Sequence, residues 1–192
     1  PNIMMGYYKQ PQQTEEVFKK YNGKTYFRTG DIGTFVDGPN GQKYLKITDR
    51  KKELLKTSGG KYVAPAPIES LLKEDFLIEN VMVVGDHKKF VSALIVPSQD
   101  ALKAWCEEHR VEWTSLDDII HNETVLSRYQ HAIDKINVNF SHIEQIKKFA
   151  LIPTTWEATR NDGTESELTP TMKLKRRVIL SKFTDAIDKL YA

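Results

Sequence analysis

Two short apolar runs, at residues 81–84 and 91–96, constrain the fold of this chain more than any other feature. Runs of this length that are rich in Val and Ile are typical of β-strands buried on both faces. The segment between them, at 85–89, contains Gly, Asp and Lys, which favour a turn. The two runs therefore predict neighbouring central strands.

The elements predicted around these strands are a mixture of strands and helices. Further strands are predicted at 25–28, 32–36, 44–48 and 149–152, with a hairpin turn at 37–41. Helices are predicted at 12–20, 67–72 and 177–191. Thr14 is placed as the N-cap of the first helix, and Pro67 suits the first turn of the second. This mixture indicates an α+β fold.

The clearest helical pattern lies in the second half of the chain. Apolar residues there recur at alternating spacings of three and four, which places them all on one face of a helix. They are Leu126, Tyr129, Ile133, Ile136, Phe140 and Ile143. The pattern predicts one helix that presents this face to the core.

Charge and cysteine content exclude several classes of protein. The formal net charge is only +2, from 28 basic and 26 acidic side chains, so the chain lacks the broad basic field that drives nucleic-acid binding. Cys106 is the only cysteine and lies in a helical pattern, so no internal disulfide forms and a buried thiol is expected.

No apolar run is long enough to span a membrane. The first residues lack signal-peptide features and an initiator Met, and we expect a fragment.

Four phrases contain residue types suited to binding a nucleotide or an anion. Gly30 and Asp31 follow a predicted strand, and five consecutive charged residues occupy 49–53. The paired glycines Gly59 and Gly60, which follow Ser58, allow a backbone to approach a ligand closely. Lys173 follows a Pro-Thr turn at the start of a basic run. Taken singly, the first three are better explained as solvated turns and the fourth equally well as a helix start, and the Walker pattern is absent.

Together, the order and spacing of these phrases resemble the adenylate-forming superfamily of acyl-CoA synthetases, peptide-synthetase adenylation domains and luciferases. The resemblance covers nearly the whole chain and rests on residues 6–8, 14–18, 26–31, 49–69 and 170–177. Within the superfamily, the phrase Leu-Thr-Pro-Thr-Met-Lys-Leu-Lys-Arg-Arg at 168–177 and the helical insertion at about 98–146 are most similar to long-chain fatty acid–CoA ligases. Asp49 and Met172 stand where many relatives have glycine, and both resemble that branch.

The resemblance implies two domains and a two-step reaction. Residues 1–49 would be the β-rich tail of a large N-terminal domain, and residues 50–192 a mobile C-terminal lid with a short sheet flanked by helices. Enzymes of the superfamily make an acyl-adenylate from a carboxylic acid and ATP, release pyrophosphate, and then pass the acyl group to the thiol of CoA. The phosphate loop, adenine-contacting segment and acyl pocket of the family have no counterpart here. We therefore expect the chain alone to be inactive.

The resemblance also implies roles for residues in the first of these phrases. Asp31 and Arg50 would contact the ribose of the nucleotide, since a carboxylate can accept hydrogen bonds from two hydroxyls. Lys52 would be the hinge about which the lid turns between the two half-reactions.

The later phrases are implied to supply the chemistry. Lys173 would contact the attacking carboxylate and the nucleotide, where a fixed ammonium stabilises the charge that builds on the α-phosphate. Ser58, Gly59 and Gly60 would line the tunnel for the pantetheine of CoA, with Lys56 as an accessory residue. Residues 175–177 are not expected to be catalytic, although one of them could contact CoA phosphates.

Ligands and partners follow from the same resemblance. ATP, Mg²⁺ and CoA are implied as substrates or companions of the full-length enzyme, none bound tightly by this chain, and Mg²⁺ would enter with ATP. No metal spacing is recognisable among His87, His109, His121, His131 and His142. The implied partners are the N-terminal domain, fatty acid, ATP and CoA, with no nucleic acid. The implied location is cytoplasmic, with peripheral membrane contact suited to a lipid substrate although no amphipathic basic helix requires it.

Three other hypotheses fit part of the sequence. An acyl-AMP ligase or an adenylation domain would deliver its acyl group to a carrier protein, and a carrier domain encoded downstream would distinguish it. A non-catalytic binding module with the same fold would need none of Asp31, Arg50 and Lys173. A nucleic-acid binder acting through 173–177 would be expected to interleave aromatic residues, which that run lacks.

Overall fold

The computed structural model describes residues 3–192, apart from the side chain of Asp49. Residues 1 and 2, and the side chain of Asp49 noted above as a departure from many relatives, therefore lie outside the description. The chain forms two compact units, the first ending at Glu53 and the second running from Leu54 to Ala192. The domain boundary at 49 and 50 stays a prediction, because a boundary between compact units is not evidence of domains that move.

The first unit consists of one helix and two antiparallel hairpins. Its elements are α1 (Pro11–Val17), β1 (Phe18–Tyr21), β2 (Lys24–Phe27), β3 (Asp31–Asp37) and β4 (Lys43–Arg50). β1 pairs with β2 and β3 with β4. The hairpins confirm the strands predicted in this part of the chain. Most of their large apolar side chains are exposed, because two isolated hairpins have no sheet or helix layer to bury them.

Helix α1 is shorter than predicted, and Thr14 is not its N-cap. The Thr14 hydroxyl lies inside the helix, where it donates to the Gln10 carbonyl at 2.8 Å and accepts from the Tyr7 N–H at 2.9 Å. Pro11 takes the first helical position, where its missing N–H costs nothing. The helix ends at Val17 because Phe18 adopts extended backbone and pairs with Phe27 in the first hairpin.

The second unit contains the remaining elements in a layered arrangement. They are β5 (Leu55–Lys56), β6 (Tyr62–Val63), α2 (Pro65–Leu72), β7 (Ile78–Val84), β8 (Val91–Pro97), α3 (Gln99–Glu108), α4 (Leu116–Ile119), α5 (Glu123–Asn137), β9 (Ile146–Leu151), α6 (Arg176–Lys182) and α7 (Thr184–Tyr191). A β5–β6 hairpin leads into the domain, and β7, β8 and β9 form its sheet in that order. α2 begins at Pro65, slightly earlier than predicted, with both prolines in its first turn. The unit is a short sheet with helices on both faces, as the α+β prediction required.

The two apolar runs form the centre of this sheet. β7 and β8 pair antiparallel, β9 joins β8 in parallel, and every residue of β8 is buried. Val83 and Ile95 face the cluster formed with α2, α3 and α5, whereas Met82 and Leu94 face the cluster formed with α6 and α7. Burial on both faces explains why the runs are continuously apolar instead of alternating. Cys106 lies fully buried in the first cluster, as predicted.

Two helix predictions were wrong in their extent. α5 ends at Asn137, so Phe140 and Ile143 lie beyond it, while Tyr129 and Ile133 are buried as predicted. The helix stops there because the Asn137 side chain bonds both the N–H and the carbonyl of Ile146, at 3.0 Å each, and so fixes the start of β9.

The helix predicted at 177–191 is two helices, α6 and α7. Phe183 interrupts them with φ −111° and ψ 27°, outside the helical region. Its ring packs against Trp156, with 6.1 Å between ring centroids, in the second core cluster. Among residues 3–192, no helix has both the length and the apolar character needed to cross a membrane.

Candidate functional site

The β3–β4 hairpin brings together the two residues predicted to contact the ribose. Asp31 and Arg50 are directly opposite in the ladder, and the Arg50 Nε lies 3.4 Å from the Asp31 Oδ1. The Asp31 side chain is 29% exposed and the Arg50 side chain 65% exposed, so both can reach a ligand. Gly30 precedes the strand with φ +82°, a conformation that favours glycine, and its carbonyl accepts from the Lys51 N–H at 2.8 Å.

Lys52, the predicted hinge, lies in an exposed turn just after β4. The turn is closed by a 2.9 Å hydrogen bond from the Glu53 N–H to the Arg50 carbonyl, which leaves Lys51 and Lys52 as its central residues. Central turn residues at the surface can change their dihedral angles without disturbing a core. The hinge role itself stays a prediction.

The glycine loop at 58–60 forms the tip of the β5–β6 hairpin. Buried Thr57 closes the loop: its N–H donates to the Lys61 carbonyl at 2.9 Å, and its hydroxyl accepts from the Lys61 N–H at 3.2 Å. Ser58, Gly59 and Gly60 are exposed, and Gly60 has φ +76°. The loop is therefore open to a ligand on a base that Thr57 fixes.

Lys56 ties this hairpin to the turn between β7 and β8. Its N–H donates to the Asp86 carboxylate at 2.9 Å, and its carbonyl accepts from the His87 N–H at 2.7 Å. The Ser58 N–H donates to the Lys88 carbonyl at 2.9 Å. Sequence reasoning assigned residues 85–89 only a turn and missed this contact, because nothing local to Asp86 indicates a partner thirty residues earlier.

Lys173, the predicted adenylation residue, lies on a tightly closed loop. Leu168 and Leu174 pair across its base, and the Thr169 N–H donates to the Lys173 carbonyl at 2.8 Å. The Lys173 N–H in turn donates to the Thr169 hydroxyl at 3.1 Å. Both backbone groups of Lys173 are therefore held while its side chain is exposed. Met172 before it has φ +60°, a conformation that favours glycine.

A buried carboxylate supports the base of this loop. Glu167 has a side chain 1% exposed, and it accepts from Lys182 Nζ at 2.7 Å and from Arg160 Nε at 2.9 Å. Its own carbonyl accepts from the Lys175 N–H at 2.8 Å. Burial by itself raises the pKa of Glu167, but the hydrogen bonds from Lys182 and Arg160 outweigh it and leave that pKa below its usual value.

A second buried carboxylate, Glu69, was also missed. It lies on α2 and accepts two hydrogen bonds from Arg176, three residues after Lys173. A sequence signal was available, since Pro65, Ile68 and Leu72 define the buried face of α2 and Glu69 lies on that face. A charged residue on an apolar helix face requires a buried partner.

The predicted residues thus fall into two sets. Asp31, Arg50 and Lys52 lie in the first unit, and Lys56, the 58–60 loop and Lys173 lie in the second. Within residues 3–192, leaving out the side chain of Asp49, no three side chains of His, Cys, Asp or Glu are grouped so as to hold a metal ion.

Comparison with known proteins places this chain in a family. The model of the AMP-binding enzyme C-terminal domain matches residues 52–192, and the chain belongs to that family. Its curated relatives include the long-chain-fatty-acid–CoA ligase FadD15 of Mycobacterium tuberculosis, which is 37% identical over 190 residues. Long chain acyl-CoA synthetase 8 of Arabidopsis thaliana is 32% identical over 195 residues.

These alignments cover 98% and 100% of this chain but only 30% and 26% of the two relatives. The chain therefore spans less than a third of the length of the relatives it matches. Among solved structures, the adenylation domain of the carboxylic acid reductase from Segniliparus rugosus superimposes with a TM-score of 0.73 at 23% identity. That alignment covers 98% of this chain and 26% of the reductase chain, and it shows the fold alone.

Proposed function

We propose that this chain is the C-terminal part of a long-chain fatty acid–CoA ligase, which activates a fatty acid with ATP and transfers the acyl group to CoA. The observation that carries the proposal is the exposed Lys173 side chain on a loop whose backbone is held by hydrogen bonds at both the N–H and the carbonyl. The names of relatives that are 37% and 32% identical support the same class of reaction.

In the first half-reaction, Lys173 stabilises the attack of the fatty acid on ATP. A carboxylate oxygen forms a bond to the α-phosphorus while the bond to pyrophosphate breaks, and negative charge builds on the phosphoryl oxygens. An ammonium held by an ordered loop offsets that charge without first reorganising. Mg²⁺ enters with ATP as part of the substrate, and no residue described here is assigned to it.

Asp31 and Arg50 position the nucleotide for this step. The Asp31 carboxylate accepts hydrogen bonds from the ribose hydroxyls, and the exposed Arg50 guanidinium beside it donates to the same sugar. Their pairing across β3 and β4, with 3.4 Å between Nε and Oδ1, supports a shared ligand.

In the second half-reaction, the 58–60 loop borders the path of the CoA thiol, with Lys56 beside it. A group of cations and aromatic rings adjoins that loop and supports CoA as the acceptor. The Lys88 Nζ lies 4.9 Å from the centre of the Tyr191 ring, and Phe90 contacts the same ring at 5.1 Å between centroids. The Lys88 Nζ also lies 3.8 Å from the Asp188 carboxylate, and the Lys148 Nζ lies 5.8 Å from the centre of the Phe90 ring. Aromatic rings with adjacent ammonium groups suit an adenine that carries phosphates.

The rest of a longer protein is the proposed partner of the first unit. On β3 and β4, Phe35 and Leu45 lie opposite each other and are 69% and 61% exposed, and Ile47 is 55% exposed. Apolar side chains grouped in this way indicate a surface that another part of the enzyme covers. Lys52 is proposed as the hinge at which residues 50–192 turn as the lid. A cytoplasmic location and peripheral membrane contact stay predictions.

The test uses the full-length protein that contains this chain. Incubated with a long-chain fatty acid such as palmitate, ATP, Mg²⁺ and CoA, it is expected to release pyrophosphate and form palmitoyl-CoA, detected by mass spectrometry. The isolated 192-residue chain is expected to do neither. Transfer only to a carrier protein, or thioester formation by the isolated chain, would contradict the proposal.

A further inference from the structure

We propose that a buried ion pair, Glu69 with Arg176, holds the Lys173 loop and the 58–60 loop in one fixed arrangement, so that both residues are positioning residues for the two half-reactions. This inference rests on the function proposed above. From the sequence, Glu69 had no predicted role, and residues 175–177 were considered only as contacts for CoA phosphates.

One nitrogen of the Arg176 guanidinium contacts both carboxylate oxygens of Glu69, while Nη1 donates to the Val83 carbonyl at 3.4 Å. Arg176 Nη2 donates to Glu69 Oε1 at 2.8 Å and to Oε2 at 2.7 Å. The same Glu69 Oε1 accepts from the Val83 N–H at 2.7 Å, which ties the carboxylate to the central sheet. The Glu69 side chain is 11% exposed and the Arg176 side chain 19% exposed. The Glu69 carboxylate is thus held by hydrogen bonds from both the sheet and Arg176.

The pair joins the two loops through the elements that carry them. Arg176 is the first residue of α6 and follows Lys173 by three positions, on the loop closed by Leu168 and Leu174. Glu69 lies on α2, which begins at Pro65, directly after the β5–β6 hairpin whose tip is the 58–60 loop. The contact therefore links segments 107 positions apart in the sequence.

A pair of this kind is better suited to fixing geometry than to adding stability. Removing two charges from water costs free energy that their attraction only partly offsets. The planar guanidinium, however, fixes the direction of approach of a carboxylate, which the point charge of a lysine does not. Arg177 makes a useful contrast: it is 86% exposed, and its Nη2 lies 3.2 Å from Glu165 at the surface.

The expected consequence is a loss of rate in both half-reactions. A displacement of about 1 Å in a catalytic group can lower a rate by about 100-fold even when binding is retained. Arg176→Lys in the full-length enzyme keeps the charge but loses the planar group that contacts both Glu69 and the Val83 carbonyl. We expect it to lower kcat by about 10- to 100-fold in each half-reaction, with KM for ATP and for CoA changed by less than about 3-fold. Arg110→Lys, the same change at an exposed position just after α3, is the control and is expected to leave both rates unchanged.

A double-mutant cycle that combines Arg176→Lys with Lys173→Ala distinguishes a positioning role of Arg176 from a general weakening of the fold. If Arg176 acts on adenylation through Lys173, Arg176→Lys has little further effect on pyrophosphate release once Lys173 is already Ala. In the same double variant, thioester formation from supplied acyl-adenylate still falls, because that step depends on the 58–60 loop. The inference would be overturned if Arg176→Lys lowered the rate of pyrophosphate release by the same factor in the wild type and in Lys173→Ala. It would also be overturned if Arg176→Lys left the rate of thioester formation unchanged.

A second variant keeps the test decisive if Arg176→Lys does not fold. Glu69→Asp keeps the carboxylate but draws it back by one methylene, and we expect the same pattern with a smaller loss of rate. Thermal denaturation shows that each variant is folded at the assay temperature. Wild-type rates for Lys173→Ala would refute the proposed function itself, whereas wild-type rates for folded Arg176→Lys and Glu69→Asp would refute only the role of the ion pair.

Discussion

Asp31 and Arg50 are directly opposite each other in the β3–β4 ladder, with the Arg50 Nε 3.4 Å from an Asp31 carboxylate oxygen. Both side chains are accessible, so the pair contributes little to stability. The pairing matters because one short hairpin places a hydrogen-bond acceptor, the Asp31 carboxylate, beside a donor, the Arg50 guanidinium. A sugar with adjacent hydroxyls needs such a combination.

Asp31→Asn is therefore expected to impair nucleotide binding and to leave folding intact. Loss of a charged acceptor costs about 1.5–3 kcal/mol, which raises KM for ATP by about 10- to 100-fold. The measurement is the ATP dependence of pyrophosphate release by the full-length enzyme. Asp37→Asn, at the far end of the same strand, is the matched control and should leave KM unchanged. A similar effect of both changes would show that the hairpin, and not the carboxylate, is responsible.

Glu167→Gln is expected to destabilise the chain strongly. The substitution leaves Arg160 and Lys182 beside a neutral group, in place of a carboxylate whose side chain is only 1% exposed. Breaking a buried ion pair costs about 3–5 kcal/mol of unfolding free energy. Urea unfolding followed by tryptophan fluorescence measures the loss. Glu165→Gln, at a surface pair with a carboxylate 55% exposed, should cost less than about 1 kcal/mol.

The lowered pKa of Glu167 also predicts an acid-sensitive fold. Because the folded pKa lies below the unfolded one, the stabilisation is complete above the unfolded value, about 4.3, and is lost as the pH falls through the folded value. The unfolding free energy of the wild type should thus be steeper in pH below about 4.3 than that of Glu167→Gln. Parallel urea titrations between neutral and acidic pH measure the difference. Identical pH profiles would show that another group controls acid unfolding.

Met172 provides a test of the Lys173 loop that does not involve charge. The residue has φ +60° and is 63% exposed, so substitutions there change backbone strain more than burial. Met172→Val places a β-branched side chain in this conformation and should destabilise by about 1–2 kcal/mol. Met172→Gly should be neutral or stabilise by up to about 1 kcal/mol. Thermal unfolding compares them, and greater stability of the Val variant would contradict the observed loop geometry.

The central strands could be predicted because their environment is simple. Burial on both faces requires apolar residues throughout, and the runs containing Val83 and Ile95 show that directly in the sequence. The ends of helices were harder to predict from the sequence. The spacing of apolar residues continues to Phe140, which packs on the core, and to Ile143, which is 42% exposed, although Asn137 has already ended the helix by bonding to Ile146. Apolar spacing alone therefore does not mark where a helix ends.

In the candidate site, the exposed residues could be predicted from the sequence more easily than the buried ones. Sequence phrases located the exposed residues, including Lys173 and Gly60, because turn residues and charges are recognisable locally. The buried carboxylates were harder to find. Glu69 was detectable on the apolar face of α2, but Glu165 and Glu167 lie two positions apart in one polar phrase, and only the fold buries the second of them. Their partners are too distant in sequence for any local pattern to indicate.

The central claim is that Lys173 serves adenylation and not thioester formation. The most direct measurement compares wild type with Lys173→Ala in the full-length enzyme, assaying each half-reaction separately, with exposed Lys189→Ala on α7 as the control. Pyrophosphate release with ATP and fatty acid is expected to fall by at least about 100-fold, while CoA thioester formation from supplied acyl-adenylate stays within about 3-fold. Full activity of Lys173→Ala in both assays would contradict the account and leave this domain with a binding or structural role.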